Sequence, residues 1–141
     1  MQKTEATASD VQPKAAAPPM TSMAVIAPIA GWILPGAGHL LQKKWGRGLL
    51  LLLAVGLMFF FGLAMEGKIY KYNTGDLLDI LGFIGDAGAG GLYIVSRILD
   101  VGAAPIAHAT ADYGTKFIVI SGLLNVMAMV DAFHIAAGRK Q

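Results

Sequence analysis

Residues 48–65 read GLLLLLAVGLMFFFGLAM, 18 positions without one charged side chain. A helix on the surface of a water-soluble protein keeps a polar stripe toward solvent; this stretch has none. At about 1.5 Å of rise per residue it covers about 27 Å, close to the hydrocarbon thickness of a bilayer. It is read as a transmembrane helix. Composition says the same of the whole chain. Of 141 residues, 55% are hydrophobic and only 14% charged, against about 25% charged in soluble domains, and mean hydropathy is +0.60. A net charge of +2 is too small for a nucleic-acid-binding face. With no cysteine, disulfides, thiol catalysis and Cys-ligated metals are excluded.

Toward the N-terminus, residues 42–47 (QKKWGR) form a short basic linker, preceded by an apolar run at 23–41. That run is just long enough to cross, but Pro35-Gly36 inside it must break or kink the helix. We read a short helix, a break at 34–36 and a second short piece carrying His39. Full crossing is the expectation and a re-entrant loop the alternative. Residues 1–22 are rich in Ala, Pro, Thr and Ser with cancelling charges, a polar tail with almost nothing to bury.

Toward the C-terminus, residues 66–116 hold six acids (Glu66, Asp76, Asp79, Asp86, Asp100, Asp112) against four bases (Lys68, Lys71, Arg97, Lys116). The segment is too long for a bare loop. Leu77, Leu78, Leu81 and Ile84 recur at helical spacing with Asp76, Asp79 and Asp86 on the other side, which predicts an amphipathic helix lying at the membrane surface. Residues 85–91 (GDAGAGG) read as a break, and 92–99 as a second short helix. The alternative, a crossing by 77–99, would put Asp79, Asp86 and Arg97 in lipid at about 2.5–3.5 kcal/mol each near the centre. A last run, 117–137, carries one formal charge, Asp131, and ends at Gly138-Arg139-Lys140.

These runs predict an all-α membrane protein of about three transmembrane helices (23–41, 48–65, 117–137), the first broken at Pro-Gly, with short interfacial helices in the middle. Bases without acids at 42–47 and 138–141 place the linker and C-terminus in the cytoplasm by the positive-inside rule, and 66–116 outside. A bacterial inner membrane is the expected location.

The stretch 31–40 (GWILPGAGHL), followed by Lys44, Gly46 and Gly48, resembles the P-G-x-G-H-x-Y-x-G-x-x-x-x-G pattern of small bacterial membrane proteins of the two-transmembrane-domain type. The closing Leu123-Leu124-Asn125, Asp131-Ala132-Phe133 and Gly138-Arg139-Lys140 are similar to the matching end of such chains. The resemblance covers about 24–62 and 113–140, and departs at Leu41 and Phe133, where the pattern has Tyr. It implies an uncharacterised family of short membrane proteins and brings no catalytic residue.

Asp131 is the most costly side chain, and intramembrane acids are normally paired. His39, Lys43, Lys44 and Arg47 fall at the same face, so one of them is expected to form a structural ion pair with it. His39 and His134 could together ligate a haem or pigment, but nothing else in the sequence supports that, and no cofactor is assigned. Ala128, Ala132 and Ala136, with Ala27 and Gly31 in the first run, make small-residue stripes that let helices approach closely in lipid. Asn125 beside them could bond across helices. The glycines at 85–91 lack phosphate-loop spacing, and hydrolase and zinc signatures are missing. The expectation is a non-catalytic accessory subunit of a larger membrane complex, contacted through the 1–22 tail and the 66–116 segment. A part in an oligomeric transporter or channel is the alternative, and a haem- or pigment-binding electron-transfer subunit the third.

Overall fold

The computed structural model describes residues 21–72, 75–102 and 108–139. All but the last two positions of the polar tail, and any partner contact it makes, lie outside them. Among the described residues six helices follow one another: α1 (Ser22–Ile33), α2 (Ala37–Leu41), α3 (Trp45–Ala64), α4 (Leu77–Gly88), α5 (Gly91–Ile98) and α6 (Ala109–Ala136). Among the described residues there is no strand. The fold is all-α, and α3 and α6 are each long and apolar enough to cross a membrane.

The packing is inverted relative to a water-soluble bundle. On α3, Leu49, Leu50, Leu53, Leu57, Phe60 and Phe61 point outward, while Gly48, Val55, Phe59 and Gly62 are buried. On α6 the buried face is Ala111, Gly114, Thr115, Ile118, Ser121, Gly122, Asn125, Ala128 and Ala132, a three-and-four spacing of mostly small or polar residues. Leucine gains nothing from leaving lipid for protein, whereas small residues let backbones meet and polar ones need partners. Such a pattern is the one a lipid solvent selects.

α6 is the post against which α1, α3 and α4 lean. α3 runs antiparallel to it, with Gly62 against Gly114 and Ile118. α1 is also antiparallel: Gly31 faces Met129, and Ala27 lies beside Gly38, which touches Ala132. α4 runs parallel to α6, Gly85 against Val119 and Gly88 against Gly122 and Val126.

Two departures from the sequence reading follow. Across 23–41 the expected helix, break and second short helix are present, but the second piece folds back on the first instead of continuing onward. Ala27 and Gly38 would be about 16 Å apart in a continuous helix; here they touch, because Gly36 at φ +81° turns α2 back on α1. With 12 residues α1 covers about 18 Å, roughly half a bilayer. The second departure is α4. Expected at the surface with its acids in water, it lies along α6 instead. Leu77, Leu78, Leu81 and Ile84 face outward, while Gly82, Gly85, Asp86 and Gly88 are buried. Helix continues through Gly88, so the break is confined to Ala89-Gly90, where α5 departs at 108°. The chain returns to its starting level, since the Ile69 amide donates to the Gly102 carbonyl at 2.9 Å.

Candidate functional site

A helix that stops inside a membrane leaves its last carbonyls without partners, and lipid offers no donors. α1 and α4 both end partway along α6, and their ends meet. Gly90 and Gly91 abut the carbonyls of Trp32 and Ile33 so closely that a Cβ on either would overlap them. Trp32 Nε1 donates to the Ala87 carbonyl at 3.0 Å. Asn125 Nδ2, from α6, donates to the Gly88 carbonyl at 3.0 Å. Two side chains from two other helices thus cap the exposed end of α4.

One residue back, Asp86 has no solvent exposure. The Tyr70 amide donates to its Oδ2 at 2.7 Å. Its Oδ1, like Oδ1 of Asn125, is buried and has no hydrogen-bond partner among the described residues. Phe59, Ile69, Ala89 and Ile118 form an apolar core cluster, with Tyr93 packed against it. The sequence reading set Asp86 on a solvated face; the structure corrects this, and the usable signal was Gly82, Gly85 and Gly88, which mark the packed side of the helix.

A second polar cluster lies toward the C-terminal end of α6. His39 Nε2 and Asp131 Oδ2 are 3.0 Å apart, with the histidine side chain 1% and the aspartate 28% exposed. Gln42 Nε2 donates to the carbonyls of Gly38 (3.0 Å) and Ala132 (2.9 Å), tying α2 to α6. Of the four bases weighed for Asp131, the fold-back of α2 brings His39 to it. Lys43 and Arg47 are exposed and Lys44 is half-buried. His134 lies on α6 with its ring 5.7 Å from that of Phe133. With Nε2 of His39 engaged by Asp131, only Nδ1 of that ring is left for any ligand. Of the small residues singled out from sequence, Ala27, Gly31, Ala128 and Ala132 are buried and Ala136 is half-buried.

At the N-terminal end of α6, Thr115 Oγ1 accepts from the Lys68 amide and donates to the Ala111 carbonyl, both at 2.8 Å. Lys116 pairs with Asp112 on the surface. Among the described residues, no group of three or more His, Asp or Glu side chains could hold a metal ion.

One comparison with known proteins finds a match. A family model matches residues 26–141. The chain belongs to DUF6677, a family of unknown function. The match takes in both stretches quoted for the sequence resemblance, 31–40 and 123–140, within a single family. No curated protein and no solved structure matches the chain.

Proposed function

We propose that the protein is a non-catalytic accessory subunit of a larger membrane complex in a bacterial inner membrane. The observation that supports this reading is where its polar groups are spent. Trp32, Gln42, Asn125 and the His39–Asp131 pair each join one helix to another, while the outward faces of α3 and α4 are apolar. Side chains used this way build a rigid body with greasy walls, suited to packing beside other membrane proteins. Bases at 42–47 and 138–141 in the sequence support a cytoplasmic position for that end of the bundle by the positive-inside rule. With α1 and α2 read as a half-depth hairpin, residue 21 lies on that side too, and 66–72, 75–76 and 99–102 lie on the other.

The test is gentle solubilisation of native membranes followed by native electrophoresis and identification of co-migrating proteins. A discrete complex holding this chain in fixed ratio to other subunits is expected. A lone monomer would contradict the reading.

One observation favours a second reading, a part in an oligomeric transporter. Broken helices meeting at mid-depth are a common way to build ion sites, and here the break carries the unbonded oxygens of Asp86 and Asn125. A stable homo-oligomer that conducts protons or sodium ions in liposomes, and loses flux on Asp86→Asn, would favour it.

A further inference from the structure

The two ends of the bundle treat their cations differently. Toward the N-terminal end of α6, Lys116 meets Asp112 at 2.6 Å and His108 lies 3.8 Å from Glu66. At the opposite end Lys43, Arg47 and Arg139 are exposed and Lys44 is half-buried. Among the described residues none of these four is in an ion pair. The first turn of α3 holds no acid, and Asp131, the acid of this end, is bonded to His39 at 3.0 Å. Gln42, held to the Ala132 carbonyl, fixes the basic linker beside the last turns of α6, and Arg139 follows that helix. This end therefore carries cations that the protein itself does not neutralise.

What adjoins the cations narrows the partner. Arg47 stands in the first turn of α3, and residues three or four apart on a helix are neighbours. Leu50, 69% exposed, comes next, and Leu57 and Phe61 continue the outward face. Trp45, also exposed, is of the type that settles where head groups meet hydrocarbon. One rigid helix thus sets cations at the head of an apolar wall. An acidic protein segment would match the cations and not the wall. We propose that this end binds an anionic phospholipid. Its phosphate is held by Arg47, whose guanidinium takes phosphate oxygens in a fork, and by Lys43 and Lys44 as point charges. Its acyl chains follow Leu50, Leu57 and Phe61. A zwitterionic lipid brings a cation of its own to a patch already in excess of them, and binds less well. The inference rests on the membrane placement above, with this end at head-group depth, and not on the accessory-subunit reading.

The experiment is native mass spectrometry of the purified full chain in detergent, titrated separately with phosphatidylglycerol and phosphatidylethanolamine. The wild type is expected to bind phosphatidylglycerol about tenfold more tightly. That margin should shrink as ammonium acetate is raised, since salt screens exposed charges. Each Lys or Arg near an anionic head group carries about a fivefold share of the attraction. Lys43→Gln combined with Arg47→Gln, both at exposed positions, should therefore leave the two lipids within about twofold of each other. Lys116→Gln removes a cation from the other end and should leave the margin intact; circular dichroism checks that each variant keeps its helix. Equal binding by the wild type, a margin that survives the double change, or one that Lys116→Gln lowers as much as Arg47→Gln alone would each overturn the proposal. So would a co-purifying protein that the double variant releases and neither lipid displaces, which would make an acidic partner the occupant. None of the lipid readouts depends on whether the chain co-migrates with other subunits.

Discussion

The two bent helix pairs solve one problem at different levels of the bundle. α1–α2 turns at Gly36 and α4–α5 at Gly90, both at positive φ, and both pack through glycine onto α6. Their locks differ. The first is fastened near the end of the bundle by His39, Asp131 and Gln42, where Asp131 is partly open. The second is fastened around Asn125 and Asp86, neither with any exposure. A polar contact that water can replace is worth less than one it cannot. The comparison therefore predicts a gradient: changes at the second hairpin should cost more than like changes at the first.

The largest loss is expected from Gly122→Ala. Its Cβ would overlap the Gly85 carbonyl, and backbone cannot move aside as a flexible side chain can. Forcing α4 off α6 should cost about 2–3 kcal/mol, read as a lower midpoint in thermal unfolding in detergent. Asn125→Ala comes next. It strips the cap from the Gly88 carbonyl and should cost about 1.5 kcal/mol, at the upper end for hydrogen bonds between membrane helices. Asp131→Ala leaves His39 without its partner at the partly open end and should cost about 1 kcal/mol. Asp131→Asn, which still accepts from the imidazole, should cost only about half as much. If Asp131→Ala proved costlier than Asn125→Ala, the gradient would run the wrong way. The smallest effect belongs to Gly46→Ala on α3. Nothing lies within 4 Å of the added methyl, and a better helix former should leave stability unchanged or raise it by about 0.5 kcal/mol.

How far the sequence could be read follows the same physics. α3 and α6 are legible because an uninterrupted apolar run of their length has one comfortable solvent. Pro35-Gly36 announces a break but not the direction the chain takes after it; that is decided by the contact of Gly38 with Ala27 and Ala132, which are distant in sequence. The cost of an acid in a span points from Asp131 to a base, and the return of α2 singles out His39. α4 was harder. Its leucines stand out and suggest a helix with a wet opposite face, yet in lipid the leucines face out and the glycines mark the inside. Asp86 was misplaced for that reason. Trp32 and Asn125 as caps for α4 were beyond reach, since that role exists only once two hairpins meet.

The central claim is that residues 22–41 enter and leave the bundle at one end, opposite to residues 77–98. The absence of native cysteine allows a clean test by single-cysteine labelling with a membrane-impermeant reagent at Thr21, Lys44, Tyr72, Asp100 and Arg139 in sealed vesicles. Thr21, Lys44 and Arg139 should react from one face, and Tyr72 and Asp100 from the other. If Thr21 reacted together with Tyr72 and Asp100, the first run would cross the membrane outright and the paired-hairpin account would fail.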